Sequence, residues 1–393
     1  MNFAQCRSIL IALLFISISF VFTHVQAQSN RDFEQVWSET DAYFQNTMEE
    51  NEIVGGALLF LEKGQVKGSR YYGMADIRQQ REVDENTIFH WASITKTFTA
   101  IAIMQLRDRG LLTLDDPITK YLPELRQVHN PYGSMDDITL KMVLSHSAGF
   151  RDPTWPWGGN ESWHPFEPTE WSQIVAMLPY TEILFEPGSK FSYSNPAIIF
   201  LGRIIEMLSG DDYEVYIDKN ILKPLEMYSS YYDITPSHLL KYRANNYTIR
   251  NAEPQPNGLD FDTGITASNG GLNAPLKDMI KYLNFLTGQP EAYEILKRSS
   301  LEELWQVQHP ISEGDGITSS VALSFFPEAF EGMQVVGHTG TQKSFYSFFY
   351  IHPPSQSACI AITNTDGETL NPDQIRLDVS HYVFRHLFTL YKE

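Results

Sequence analysis

The stretch Trp91-Ala92-Ser93-Ile94-Thr95-Lys96 runs straight into Thr97-Phe98-Thr99-Ala100-Ile101-Ala102-Ile103-Met104-Gln105-Leu106. The second part is nearly all apolar or small, so it reads as a buried helix rather than an amphipathic surface one. Asp108-Arg109-Gly110 ends it, with a glycine able to take the left-handed cap. Ser93 then falls in the first turn, and Lys96 three residues on shares its helix face. A serine hydroxyl is a weak nucleophile at neutral pH and needs a base beside it. An amine held in a dry pocket can serve, because burial lowers a lysine's pKa. A helix opening at Ser93 also aims free N–H groups and its positive dipole end at a developing oxyanion. Alone the pattern carries little: Ser-x-x-Lys is expected by chance roughly once in a chain this long. The rest of the chain must supply partners.

The chain has 393 residues, 42% hydrophobic and 20% charged. That is ordinary globular composition, with length for one large or two modest cores. Residues 1–27 read as a signal peptide: Arg7, an apolar run from Ile9 to Phe22, then Val25-Gln26-Ala27 as a small-x-small cleavage pattern. A bilayer span takes about 20 apolar residues, so the run is short for one, and an uncleaved anchor is the rival reading. The chain is therefore expected to be exported, periplasmic or secreted, with no stable membrane insertion after cleavage. Cleavage removes one base and no acid, moving the net charge from −19 to −20. So acidic a chain is poorly suited to nucleic acid or anionic membranes. Only Cys359 would remain, in the strand-like run Ser357 to Ile362. It reads as a small buried residue, and stability must come from packing rather than disulfides.

Taken in order, Asp32 to Glu50 has the spacing of an amphipathic helix. Val54 to Leu61 and Val66 to Tyr72 read as a hairpin around Gly64. From Leu111 to Trp305 the pattern is mainly helices and long loops: Ile138 to His146, Thr169 to Leu178 with Thr169 as cap, Pro196 to Leu208, Leu276 to Leu286 and Tyr293 to Lys297. Strands return at Val321 to Phe326, Met333 to His338, Ser344 to His352 and Ala358 to Asn364. A last helix covers Pro372 to Tyr391. Strands at both ends with helices between predict an α/β (α+β) fold. One antiparallel sheet is built from residues 28–110 and 305–393, flanked by the first and last helices, with a mainly helical domain inserted at 111–304.

Two further stretches can serve Ser93. In Phe191-Ser192-Tyr193-Ser194-Asn195-Pro196, a phenol and a carboxamide two residues apart can point into one cleft. Tyr193 is suited to pass a proton between Ser93, Lys96 and a leaving group, and Asn195 to hold Lys96 and a substrate carbonyl. Val335-Val336-Gly337-His338-Thr339-Gly340-Thr341 reads as an edge strand running into a glycine, where another backbone can approach closely. A substrate along it would set its carbonyl near the Thr341 N–H, which with the Ser93 N–H makes a two-donor oxyanion hole.

Three such elements in this order resemble the penicillin-recognising serine hydrolases: penicillin-binding peptidases, β-lactamases, and their D-aminopeptidase and esterase relatives. Tyr193-x-Asn195 as second element resembles the branch holding class C β-lactamases. So do Leu144-Ser145-His146-Ser147-Ala148-Gly149, Phe185-Glu186-Pro187-Gly188 and Ser268-Asn269-Gly270-Gly271-Leu272. The resemblance spans about residues 35 to 390. It implies a sheet domain with a helical domain, Ser93 at their junction, acylation of Ser93, and hydrolysis by water. One departure is informative. The third element begins with His338 where β-lactamases typically carry lysine, and a histidine is mostly neutral above a pKa of about 6.5. His-x-Gly occurs in carboxypeptidases, D-aminopeptidases and esterases of this group.

Tyr282-Leu283-Asn284 repeats Tyr-x-Asn but lies inside an apolar-periodic helix, so Tyr282 reads as packing. Asp262-Thr263-Gly264 lacks the second copy an aspartic-protease site needs. There is no Gly-x-Ser-x-Gly, no His-Glu-x-x-His and no paired cysteines, so neither an α/β-hydrolase elbow nor a metal or cofactor site is called for. His146 reads as ordering its loop, and His338 as facing the cleft. Phe150 to Trp171 holds four of the seven tryptophans, as either a rigid packing loop or an apolar cleft wall. The expected activity is hydrolysis of D-amino-acid peptides or small esters through an acyl-Ser93 intermediate. The alternatives are a β-lactamase and a non-catalytic binder of cell-wall peptide or β-lactam.

Overall fold

The computed structural model describes residues 32–151, 168–232, 234–259, 264–288 and 295–392. The proposed signal peptide, Asp262, Thr263, Trp155, Trp157 and Trp163 lie outside the described residues.

Helix α1 (Phe33–Glu50) leads into strands β1 (Gly55–Glu62), β2 (Gln65–Asp76), β3 (Arg81–Glu82) and β4 (Ile88–His90). A single 3-10 turn, Ala92–Ile94, then opens α2 (Thr95–Asp108), which ends at Arg109 before Gly110 at φ 75°. The middle of the chain holds α3 (Leu140–Leu144), α4 (Trp171–Met177), α5 (Asn195–Ser209) and α6 (Tyr213–Ile217). Next come β5 (Tyr231–Tyr232), β6 (Tyr247–Arg250), β7 (Glu253–Pro256), α7 (Ala267–Gly270), β8 (Leu272–Pro275), α8 (Leu276–Thr287) and α9 (Arg298–Glu303). The rest is β9 (His309–Gly314), β10 (Ile317–Val321), β11 (Phe326–Phe330), β12 (Met333–Gln342), β13 (Phe345–His352), β14 (Ser357–Thr363), β15 (Thr365–Gly367) and α10 (Pro372–His386).

Nine strands form one antiparallel sheet in the order β3-β2-β1-β14-β13-β12-β11-β10-β9. The two ends of the chain meet where β1 pairs with β14, Gly56 opposite Thr363 through Glu62 opposite Ser357. One face packs on α1 and α10: Val36, Phe44, Met48, Val379, Val383 and Phe384 close over Leu58, Phe60, Phe348 and Tyr350. Each such buried side chain contributes about 1.5–3 kcal/mol. The other face joins a continuous core with α2, α5 and α8, in which Phe98, Ile101, Phe200, Leu283 and Phe349 are fully covered. The central helix α2 is buried from Thr95 to Leu106, as its sequence predicts.

The structure departs from the sequence expectations in five places. Val321 to Phe326 is not one strand: Val321 ends β10, Phe326 begins β11, and residues 322–325 are the bend between them. Ser324 there takes φ 58°, and its amide leaves the sheet to donate to the Leu144 carbonyl. Helix α4 is capped at Glu170, not Thr169, whose amide instead donates to the Gln173 side chain at 2.8 Å. Ile295 to Lys297 is a turn, and the helix begins at Arg298. The final helix is α-helical only to His386, followed by a 3-10 turn at Phe388–Tyr391. The region 111–304 also holds short strands: β8 pairs with β4 and β5, and β6 with β15 and β7. Strands of two to four residues have no period to detect, and their partners lie far away in sequence.

Tyr282 settles into the core as expected. It is fully buried, stacks on Phe98 at 4.1 Å and donates its hydroxyl to Thr97 Oγ1 at 2.7 Å. Tyr282→Phe removes that bond and strands a buried acceptor, so it should lower unfolding free energy by about 1–2 kcal/mol in urea titration. Reactivity at Ser93 should be unchanged. A loss of that reactivity with stability intact would mean that Tyr282, not Tyr193, serves the site.

Candidate active site

Ser93 owes its position to the short turn before α2. Trp91 anchors the turn: it is fully buried, its amide donates to the Leu272 carbonyl at 2.9 Å, and its indole to the Ala274 carbonyl at 2.8 Å. Ala92 is forced to φ 48°, a left-handed conformation costly for a residue with a β-carbon. The chain thereby turns sharply and presents Ser93, half exposed, ahead of a buried helix.

Lys96 is fully buried on the first turn of α2. Its Nζ donates to Ser93 Oγ at 2.9 Å and to the Asn269 carbonyl at 2.7 Å, and lies 5.1 Å from the centre of the Tyr193 ring. An amine at this distance from a hydroxyl is placed to exchange a proton with it. The Asn269 carbonyl belongs to α7, which is bound to α2 a second time by Thr99 Oγ1 donating to the Ser268 carbonyl at 2.6 Å. The sequence gives Lys96 the partners Ser93, Tyr193 and Asn195 but not this carbonyl. The only signal was the Ser268-Asn269-Gly270-Gly271-Leu272 stretch.

Tyr193 and Asn195 straddle the start of α5. Ser194 is the N-cap, accepting from the Ala197 amide at 3.3 Å, and Asn195 is the first helical residue. His146 holds this segment. Its carbonyl accepts from the Ser192 amide at 2.8 Å and its Nδ1 from the Ser194 amide at 3.2 Å. Its ring stacks on Tyr193 at 4.4 Å and 20°. It orders the loop, as expected.

Strand β12 is not an edge strand throughout. It pairs with β11 from Met333 to Gly337 and with β13 from Val336 to Gln342. Only beyond Gly337 does one side open, because β11 stops pairing there. The close approach foreseen at its glycine occurs at Gly340, where a β-carbon would meet the Trp91 carbonyl oxygen at 2.3 Å. Gly340→Ala must therefore push strand and turn apart. It should cost about 1–3 kcal/mol of stability in urea unfolding and reduce reactivity at Ser93. Unchanged values would show that the two backbones can separate freely.

Ser93, Tyr193, Asn195, His338, Thr339 and Thr341 line one pocket of about 340 Å³. Lys96 reaches its floor through Ser93, and Gly340 backs it against Trp91. Every residue singled out in the sequence is thus in one place. A larger groove of about 780 Å³ near Trp305 and Tyr391 contains none of them. The same small pocket is lined by Phe326, Glu328, Tyr350 and Arg376, which the sequence reading did not anticipate. Arg376 donates to Thr341 Oγ1 at 2.5 Å and pairs with Asp373 at 2.9 Å.

His338 is buried at the pocket, its Nδ1 2.5 Å from the Thr339 carbonyl. Burial, then the nearby Lys96 charge, hold its pKa down to about 3, so it is a neutral imidazole at ordinary pH. No permanent cation stands at the start of the third element.

The Beta-lactamase family model matches residues 40–382. The chain belongs to this family. It is 25% identical over 331 residues to Protein flp of Staphylococcus aureus strain COL, covering 84% of this chain and 63% of that protein. It is 26% identical over 317 residues to Beta-lactamase-like protein 2 of Dictyostelium discoideum, covering 77% and 54% respectively. The chain thus spans under two thirds of the length of these relatives. Among solved structures, the octameric penicillin-binding protein homologue from Pyrococcus abyssi superposes with a TM-score of 0.74 at 24% identity, covering 88% of this chain and 77% of that one. A class C β-lactamase superposes at 0.73 with 21% identity, over 92% and 98%. At these identities the structures show the fold alone.

Within the family fold, three buried imidazoles tie stability to pH. Burial holds His90 down to about 4, His338 down to about 3, and His146 well below the ordinary 6.5. The unfolded chain takes up these protons near 6.5, whereas the folded chain does so only much lower. The unfolded state therefore binds more protons, and stability falls with acid. Glu328, raised by burial from 4.5 to about 7, acts in the opposite sense, one group against three. The calorimetric unfolding temperature should be highest at about pH 7 or above and fall steadily between about pH 6.5 and 4. A flat profile across that range would contradict the buried neutral imidazoles.

Proposed function

We propose that the chain is a serine hydrolase that cleaves amide or ester bonds through an acyl-Ser93 intermediate. One observation carries the reading: Lys96 Nζ, buried on its helix, lies 2.9 Å from Ser93 Oγ at the edge of a pocket. Lys96 is the base that takes the serine proton as Oγ attacks a substrate carbonyl. Tyr193, beside Lys96, relays that proton to the departing amine or alkoxide. Asn195 positions the substrate. The substrate lies along the open part of β12, and the Ser93 and Thr341 N–H groups hold the oxyanion. Water then attacks the ester of Ser93 and releases it.

A neutral His338 in the third element favours D-amino-acid peptides and small esters over β-lactams as substrates, because a permanent cation for a substrate carboxylate is missing at that position. Membership in a family that is broadly one of serine hydrolases supports the chemistry and leaves the substrate open. We also read the chain as exported, on the strength of residues 1–27.

A fluorophosphonate probe should label the purified protein, and Ser93→Ala should abolish labelling. Retained labelling would remove Ser93 from the mechanism. In a screen of p-nitrophenyl esters, D-amino-acid amides and nitrocefin, turnover is expected for the first two classes. Nitrocefin turnover at ordinary enzymatic rates would make the protein a β-lactamase. A stable β-lactam adduct on Ser93 with no turnover of any substrate would make it a binder.

A further inference from the structure

The pocket around Ser93 does not end at strand β12. Residues on a strand alternate between faces, and directly opposed residues share one. Glu328 lies opposite Val335, and Phe326 and Tyr350 both lie opposite Gly337. Glu328, Tyr350, Thr339 and Thr341 are therefore on the face covered by α10, which brings Arg376. His338 and Gly340 face the other way, toward Trp91 and Ser93. Of these residues, Ser93, Phe326, Glu328, His338, Thr339, Thr341, Tyr350 and Arg376 line the same pocket. The pocket thus bends over the open edge of β12 and has a second compartment beyond it.

The charges of that compartment are unevenly matched. Arg376 is already engaged by Asp373, the Thr341 hydroxyl and, at 3.4 Å, the Gly340 carbonyl. His338 is neutral. Lys96 is occupied at Ser93 and Asn269. Glu328 accepts one hydrogen bond, from Ser319 Oγ at 2.6 Å, and forms no ion pair among the described residues. It stands on a strand whose same-face neighbours, Phe326 and Phe330, are both aromatic. A half-buried carboxylate with one hydroxyl donor has acceptor capacity left over and no cation to offset it.

We propose that Glu328 is a specificity-determining residue that receives an ammonium-bearing arm of the substrate, across strand β12 from Ser93. The inference rests on the hydrolase reading above and gives that site a substrate class: esters or amides carrying an amine on the arm that crosses the strand. Phe326, whose ring packs on His338 at 4.9 Å, stands where the pocket bends, and Tyr350 lines it beyond; both suit the methylene stem of an arm that crosses there. An arriving ammonium forms a charge-assisted hydrogen bond in a partly dry compartment, where it is stronger than in water. A carboxylate arm would face Glu328 as a like charge.

The carboxyl's own titration supplies a signature. Burial holds its pKa up to about 7. The other charged or titratable groups lining this compartment are Tyr350 from β13 and Arg376 from α10, while the neutral His338 from β12 lies on the Ser93 side of the same pocket. The phenol of Tyr350 is itself pushed above its ordinary value by burial and by Glu328. Glu328 is thus the group that changes charge near neutrality, and preference for an ammonium should grow as pH rises through about 7.

The test uses three esters alike except for the end of one arm: aminoalkyl, alkyl and carboxyalkyl. Each is made with the arm on the acyl side and on the alcohol side. In the full protein, kcat/KM for the aminoalkyl ester should exceed that of the alkyl ester by about tenfold on one of the two sides. The ratio should rise between about pH 6 and 8. Glu328→Gln keeps the Ser319 bond and should bring the ratio near one, flat with pH. Equal ratios in both proteins would overturn the inference and leave the hydrolase reading intact. Calorimetric binding of the same esters to Ser93→Ala separates the two ideas. Tighter binding of the aminoalkyl ester there, with no labelling of wild-type Ser93, would uphold the compartment and overturn the hydrolase. Equal binding of all three esters would overturn the compartment, whatever Ser93 does.

Discussion

The structure depends on satisfying one amine kept out of water. Lys96 is fully buried, and a polar group taken from solvent costs roughly 2–7 kcal/mol unless its hydrogen bonds are made. Ser93 Oγ and the Asn269 carbonyl meet them directly, and the Tyr193 ring lies beside them. That requirement draws three distant parts of the chain to one point. The turn before α2 must expose Ser93, α7 must lie against α2, and the start of α5 must bring Tyr193. Each has its own fastening: Trp91 to Leu272 and Ala274, Thr99 to Ser268, and His146 to the Ser192 and Ser194 amides. The fastenings use neutral groups, so they add no buried charge.

Strand β12 is the seam between the sheet and the pocket. As far as Gly337 it is an ordinary inner strand, paired on both sides. From His338 onward one side is open, because β11 stops pairing where the chain bends at Ser324. Gly340 lets the strand lie against the Trp91 carbonyl, which sets the strand's distance from Ser93. The same geometry gives the pocket two compartments, one holding Ser93, Tyr193 and Asn195, the other Glu328, Tyr350 and Arg376.

Much of this was legible in residues. The apolar run after Lys96 predicted a buried helix, and α2 is buried from Thr95 to Leu106. The run Pro196 to Leu208, with proline just inside its start, predicted a helix ending before Gly210, and α5 spans Asn195–Ser209 with a Ser194 cap and a left-handed Gly210. The misreadings share a cause. The run Val321 to Phe326 is apolar enough for a strand, yet its backbone partners are Leu304 and Leu144, supplied by other elements. Strand β8 exists because β4 and β5 are there to pair with it. Glu328 could have been noticed as an acid where alternation calls for an apolar residue. Nothing local said that it faces the pocket of Ser93.

The sequence by itself determined which residue types were available and in what local geometry. It set a serine and a lysine one helical turn apart, a tyrosine and an asparagine at a helix start, and a glycine in a strand. These follow from periodicity, capping and φ preferences, which act over a few residues. Only the tertiary structure decided which carbonyl holds Lys96, where β12 loses its neighbour, and that a carboxyl and a guanidinium stand across the strand from Ser93. Those facts depend on contacts between segments tens to hundreds of residues apart. Long-range packing selects such contacts by excluding water and pairing buried polar groups, and no local pattern encodes them.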